Sequence, residues 1–303
     1  MRRFVGLDFG GTAVKAGAVD AEGSVQDERS MPTELERGAA DVLDRAARLA
    51  RELGVEGALG VGIAGLVQRA TGTLIESPNL SELNGVRLSA ELGRRLGLRA
   101  EHVYLENDAN VAALGEQWLG AGRGHDDVLV VTLGTGVGGG LILGGELFIG
   151  GSGFAGEIGH VVVDPSGIRC GCGSIGCLET LASATAAARR ARERGLPADR
   201  PGDVEHLCDR ARETGGPERE LLLEIGRDLG RGLAYAVVLV DLSCFVFAGG
   251  FARALDLLEP GIRAGIEERT FGARKIVLQR AELGTSAGWL GAARLALERR
   301  AAR

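Results

Sequence analysis

Three cysteines crowd into one short stretch, Cys170-Gly-Cys172-Gly-Ser-Ile-Gly-Cys177, and His160 stands ahead of them in Gly156-Glu157-Ile-Gly159-His160. Three thiolates and one imidazole make the closed tetrahedral set of a structural zinc site, which leaves no coordination position for an activated water. Such a metal holds the chain and does not act as the catalyst; a reduced thiol cluster without metal is the alternative reading. Cys208 and Cys244 are isolated and read as packing residues. An odd cysteine count without a secretion signal does not suggest a disulfide framework.

Two glycine turns come next. Asp8-Phe-Gly10-Gly11-Thr12 follows an apolar strand, and Gly134-Thr135-Gly136-Val137-Gly138-Gly139-Gly140 follows another. Glycines at such turns let backbone N–H groups approach phosphate oxygens without Cβ interference. Thr12 adds a hydroxyl donor, and Asp8 is placed to hold a hydrated Mg²⁺. An ordinary hairpin is the plain reading of the first turn and a flexible loop that of the second. Neither is a Walker loop, and neither is a GxGxxG turn running into a helix. Gly249-Gly250, after the strand Cys244 to Ala248, is a weaker third signal.

Glu106-Asn107-Asp108-Ala109-Asn110 lies where a strand hands over to a helix with the apolar positions Val111, Leu114 and Trp118. A carboxylate there can simply cap the helix. Its position between the two glycine turns favours an active-site base.

The elements that must position these groups alternate as β-β-β-α-β-α-β in the first half, which is α/β and not a repeat array or a bundle. Apolar positions recurring at three and four residues predict a helix from about Leu35 to Leu53 with Gly54 as its C-cap. A second helix is expected near Leu88 to Leu96 and a strand at Val103–Leu105. The second half restarts in register: Gly10 falls on Gly134, and Glu22 on Glu146 across the following hairpin. Two copies of one β-turn-β unit imply two similar domains, each offering a glycine turn to a shared cleft. After the cysteines the chain reads as largely helical, ending in a helix from about Ser286 to Leu297.

Composition narrows the classes. The 303 residues suit two domains at roughly 100–200 residues each. Hydrophobic residues are 45% and charged residues 25%, a globular mixture. A net charge of -6 supplies no positive field for nucleic acid. No apolar run approaches the roughly 20 residues of a membrane span, and the N-terminus lacks a signal-peptide core, so a cytoplasmic protein is expected.

The segments DFGGT, ENDANVAALGE, TLGTGVGGG, GEIGHVVVDP and CGCGSIGCLE, in that order, resemble the ROK family of bacterial sugar kinases and its zinc-containing glucokinases in particular. The resemblance runs from Phe4 to the LGTSAGWLGAA segment near residue 290. It implies the two-domain actin-like ATPase (ribonuclease H-like) fold with a cleft between domains. The expected division is a small α/β domain over 1–108, with a C-terminal helix at about 290–303 packed on it, and a large α/β domain over 109–289 carrying the zinc segment 160–177.

The resemblance also assigns roles. Asp8, Gly10, Gly11, Thr12 and Gly134, Thr135, Gly136 match the ATP-phosphate segments, and Gly249 and Gly250 the adenosine segment. Asp108 matches the catalytic base. Asn107, Glu157, His160 and Glu179 match sugar-hydroxyl ligands, with Gly65 and Asn79 as further contacts. His160, Cys170, Cys172 and Cys177 match the zinc ligands, His160 meeting zinc through one ring nitrogen and sugar through the other. Two places depart from the family's pattern. Asn79-Leu80 is followed by Ser81-Glu82-Leu83 where Pro-Gly-Trp is common, in a loop bordering the sugar pocket, and Ala248-Gly249-Gly250-Phe251 is less glycine-rich than the usual adenosine turn.

The expected activity is phosphorylation of glucose by ATP with Mg²⁺, a structural Zn²⁺, and Asp108 as base. Phosphoryl transfer needs positioning, charge neutralisation and a base, and domain closure would keep water out. A kinase for N-acetylmannosamine, mannose or fructose is the nearest alternative, followed by a non-catalytic sugar sensor. The family's regulators carry a helix-turn-helix ahead of DxGGT, whereas seven residues precede Asp8 here, so no nucleic-acid partner is expected. No membrane partner is expected either, and a homo-oligomer, dimer or tetramer, is.

Overall fold

A computed structural model describes residues 3–198 and 203–301. The chain forms two compact units, Met1–Gly124 with Glu146–Phe154 and Glu282–Arg303, and His125–Gly145 with Ala155–Ala281. Among the described residues no helix is long and apolar enough to cross a membrane.

The first unit is built on β1 (Phe4–Phe9), β2 (Ala13–Val19), β3 (Val25–Pro32), α1 (Ala39–Glu52), β4 (Leu59–Ile63), β5 (Leu66–Gln68), β6 (Thr73–Glu76), α2 (Leu88–Leu96), β7 (Val103–Asn107) and α3 (Asp108–Leu119). Its main sheet has the order β3-β2-β1-β4-β7. The β1–β2 and β2–β3 pairs are antiparallel, and β1–β4 and β4–β7 are parallel. Strands β1 and β4 are buried almost end to end, which is why both read as apolar runs, broken in β1 only by Asp8. Helix α1 lays Val42, Leu43, Ala46 and Ala50 against this sheet. It starts at Ala39, not Leu35, because Gly38 at φ 86° interrupts the expected helix after one short 3₁₀ turn.

The second unit contains β8 (Val128–Leu133), β9 (Val137–Leu143), α4 (Glu179–Ala182), α5 (Ala184–Glu193), α6 (Val204–Thr214), α7 (Pro217–Val240), β11 (Cys244–Ala248), α8 (Leu255–Glu267) and β12 (Val277–Arg280), while the short β10 (Glu146–Leu147) falls in a segment of the first unit. Within it the order β9-β8-β11-β12 repeats β2-β1-β4-β7 with the same directions. Strands β1 and β8 even share one burial pattern, with only the fifth residue half-exposed. The duplication is offset by one residue after the turn, however. Phe9 pairs with Val14 across four residues, whereas Leu133 pairs with Val137 across three. That offset undoes the expected match of Glu22 with Glu146: Glu22 lies in a turn and Glu146 in a strand.

The last helix, α9 (Ala287–Ala301), belongs to the first unit, with Trp289 fully buried among Phe4, Val19, Leu290 and Ala293. The first unit runs to Gly124 and not to 108, because α3 packs on α9 and on the sheet. The buried Glu116 carboxylate fixes the end of α3, accepting from the N–H groups of Ala121, Glu282 and Leu283 at 2.9–3.1 Å.

Candidate active site

Both glycine turns have their carbonyls pulled into the protein. In the first, Thr33 on the chain after β3 donates its hydroxyl to Gly10 O at 2.7 Å and its N–H to Thr12 O at 2.9 Å. In the second, Ala184 N–H donates to Gly134 O and the Thr185 hydroxyl to Thr135 O, each at 2.8 Å, from the start of α5. The N–H groups of Gly11, Thr12, Thr135 and Gly136 donate to no group among the described residues. Carbonyls held inward and N–H groups turned out make a concave anion site in each unit.

In the first unit Asp8 is half-buried at the end of β1, and its carboxyl is pushed up from 3.8 to about 6, by its withdrawal from water first and by the charge of Asp108 second, against the pull of Lys15. Asp108 is exposed at the first position of α3. The helix cap is the neighbouring Asn107, whose Oδ1 accepts from Ala109 N–H at 2.9 Å, and Asp108 Oδ1 accepts from the same N–H at 2.9 Å. Asn107 Nδ2 donates to Gly65 O at 3.0 Å. One amide therefore joins the loop after β4 to the start of α3, keeping one N–H and one lone pair for a further partner. Asn79 is exposed beside the first turn, its Cβ within 3.2 Å of where a side chain on Gly11 would begin. These residues, expected to serve phosphate, base and sugar, share one unit.

The second unit gathers the rest. His160 Nδ1 lies 3.7 Å from Cys170 Sγ, and Cys172 Sγ lies 3.6 Å from Cys177 Sγ. All four donor atoms fall within 4.8 Å of one another. Ligands on a tetrahedral zinc with Zn–S bonds of about 2.3 Å sit roughly 3.8 Å apart, so the set fits that ion. The loop closes at Gly176, where φ is 75° and a Cβ would fall 1.5 Å from Asp164 O. Burial drives the Cys170 and Cys177 thiols up, while hydrogen bonds from Ser174 pull Cys172 down to about 6. A divalent cation displaces the remaining thiol protons as it binds.

Glu179 links this cluster to the second glycine turn. Its Oε2 accepts from Val137 N–H at 3.0 Å, and Cys170 Sγ donates to its Oε1 at 3.6 Å. Glu157 is exposed just ahead of the short helical turn that ends in His160. On the other side of Gly134 and Thr135 opens a cavity of about 550 Å³, lined also by Val204, Cys208, Arg212, Gly250 and Phe251. That volume lies in the range of small-molecule sites. Gly249 turns the chain out of β11 just before Gly250 reaches the cavity wall.

Several contributors escaped the reading of the sequence. Thr33 and Thr185 stand far along the chain from the carbonyls they hold, and no local signal marks them. Arg212 and Cys208 reach the cavity from α6, whose pattern announces only an amphipathic helix. Cys208 and Cys244 are both buried, their thiols raised to about 11 by burial.

Comparison with known proteins agrees with this geometry. The ROK family profile matches residues 4–299. A glucokinase of Thermotoga maritima is 36% identical, over 98% of each chain. A ROK hexokinase from Thermus thermophilus superposes with a TM-score of 0.83 at 34% identity, covering 96% of this chain and 97% of its own. A ROK family glucokinase from Streptomyces griseus, solved in complex with glucose and AMPPNP, gives 0.76 at 35% identity, covering 98% of this chain and all of its own.

Proposed function

The chain belongs to the ROK family, and from that premise we propose that it transfers the γ-phosphoryl group of ATP to glucose. The observation that carries the reading is the pair Asp8 and Asp108, one half-buried and one exposed, in the unit that also presents an outward-facing phosphate turn. The 6-hydroxyl oxygen of glucose bonds to the γ-phosphorus, the bond to the bridging β–γ oxygen breaks, and ADP leaves. Asp108 takes the hydroxyl proton as the general base.

Each unit contributes its own part. From the first, Gly10, Gly11 and Thr12 offer N–H groups to phosphate, and Gly65, Asn79 and Asn107 edge the sugar. From the second, Gly134, Thr135 and Gly136 offer N–H groups to phosphate, Gly249 and Gly250 border the adenosine, and Glu157, His160 and Glu179 take sugar hydroxyls. Asp8, whose carboxyl is raised by burial and then by its acidic neighbour, is suited to a cation such as Mg²⁺, which when bound would neutralise charge on the transferred phosphoryl group. His160, Cys170, Cys172 and Cys177 would hold Zn²⁺, which fixes the imidazole and leaves its Nε2 to a sugar hydroxyl.

Two further readings rest on the surface and on the thiols. Leu239, 77% exposed, and Phe271, 73% exposed, stand with Tyr235, Val238 and Val240 as uncovered apolar surface on the second unit. Surface of that kind favours a homo-oligomer. Five free thiols suit a reducing compartment such as the cytoplasm.

The test is a coupled ADP-release assay with ATP and Mg²⁺ across glucose, mannose, fructose and N-acetylmannosamine. Glucose is expected to give the highest kcat/KM. A tenfold advantage for another sugar would retain the kinase and reject the glucokinase.

A further inference from the structure

The carboxylate of Glu106 lies inside the first unit, 3% exposed, one residue before Asn107 and two before Asp108. It accepts from the Asn107 N–H at 2.8 Å and from Asn110 Nδ2 at 2.9 Å, and Arg69, from the β5–β6 connection, grips it with Nε and Nη2. The remaining guanidinium nitrogen, Nη1, donates to Gly153 O at 2.9 Å. Arg69 thus ties three separate stretches together: the β5–β6 hairpin, the β7–α3 joint and the segment that leads, four residues on, to Glu157.

The geometry points to Arg69 and Glu106 as a positioning pair for the catalytic joint, with Arg69 neutralising Glu106 so that Glu106 can hold the backbone of Asn107 and the side chain of Asn110. Asn107 in turn caps α3 and holds Gly65 O. The chain of contacts therefore runs from an arginine to the residues on either side of Asp108. Two parallel N–H···O bonds from a planar fork fix direction as well as charge, which a lysine ammonium cannot copy. A buried ion pair of this kind adds little net stability over apolar replacements, yet removing one partner leaves an uncompensated charge. Its value here is directional: it sets where the first turn of α3 begins. Small misplacements of a reacting group are costly in rate.

This inference deepens the kinase reading and rests on it for its kinetic part, so the experiment carries one readout that needs no substrate. Full-length wild type, Arg69→Met, Arg69→Lys, Glu106→Gln and the double variant Arg69→Met/Glu106→Gln are compared well below their melting points. In Arg69→Met, kcat/KM for glucose is expected to fall about tenfold or more, with KM for ATP within about twofold. Arg69→Lys, which keeps the charge and loses the fork, should recover part of the loss. The double variant, which removes both charges and keeps an acceptor for Asn107 N–H, should recover most of it. Amide hydrogen exchange at Asn107–Asn110 should speed up in Arg69→Met and return toward wild type in the double variant. Kinetics within twofold of wild type together with unchanged exchange, even if Arg69→Met melts lower, overturns the proposal and leaves Arg69 a packing residue. If wild type phosphorylates no glucose but the exchange pattern holds, the kinase reading fails and the pair stands as the holder of the joint.

Discussion

The two glycine turns sit at the ends of strands of equal length with one burial pattern, yet they are anchored in different ways and differ by one enclosed residue. The first is held by Thr33, just beyond the neighbouring strand β3, and follows an aspartate, Asp8; the second is held by α5 and Glu179 and follows a threonine, Thr132, at the same position of its strand. The duplicated architecture has thus divided its chemistry. One copy keeps Asp8 and the joint that presents Asp108, and the other keeps the cavity beside Gly250 and the cluster of His160 with three cysteines. What both retain is the inward pull on the turn carbonyls, since that alone leaves N–H groups for an anion.

The sharpest way to break this division is at Asp108. Asp108→Asn should lower kcat by about 10²–10⁴, because the basic oxygen is lost. Since Asn107 already caps α3, the melting point should hardly move, whereas Asn107→Ala should lose about 1 kcal/mol of stability. Near-normal turnover in Asp108→Asn, by steady-state assay and thermal melt on the same sample, would remove the base from the first unit.

A second comparison concerns metal. Cys172→Ser should lose the ion by elemental analysis and raise KM for glucose by about tenfold, since Glu179 touches both Cys170 and the second turn. The first turn shares no such link, so backbone exchange should change at Thr135–Val137 and stay constant at Gly10–Thr12. Equal changes in both would show that the ion acts through global stability alone.

The smallest effect is a matter of pH. Asp8 retains its proton in the folded chain up to about 6, against 3.8 when unfolded. Between those values the folded state binds more protons, so this group's contribution to stability falls as pH climbs from about 4 to 6 and is level above. Without added Mg²⁺, Asp8→Asn should therefore melt higher than wild type above pH 6, by on the order of 1 kcal/mol per unit of that displacement, while losing turnover. Threonine stands at the matching place in the other unit, and Thr132→Val should show no such pH dependence. Melts of both variants across pH 4–8 check the sign.

What the sequence disclosed was whatever is written locally. The glycine turns, the cysteine spacing and the strand from Cys244 to Ala248 each lie within a short window, and the structure carries them where they were expected. Helix α2 matches its expected bounds because one apolar face and Gly97, at φ 71°, delimit it. The one-residue difference between the turns was hidden, because glycines align equally well in either register and only the strand partners decide. The boundary at 108 failed for a related reason: α3 looks like the start of something new along the chain, and what binds it to the first unit is a helix more than 160 residues later. Separations of 23, 50 and 37 residues concealed the contacts of Thr33 and Thr185 and the Arg69–Glu106 pair.

Helix α9 has an implication for how the protein is made. Strand β1 waits for helix α9, since Trp289 fills the space beside Phe4 and Val19 and bonds Glu28 at 3.0 Å. Until then the N-terminal sheet lacks part of its cover. The second unit is closed in sequence at Ala281, so it can complete itself during synthesis while the first stays unfinished. Domains that form in order of emergence usually favour the N-terminal one; here α9, which completes the first unit, follows the whole of the second unit in the chain. A chain cut before Ala287 would keep every residue of the second unit and leave the apolar seat of α9 uncovered on the first.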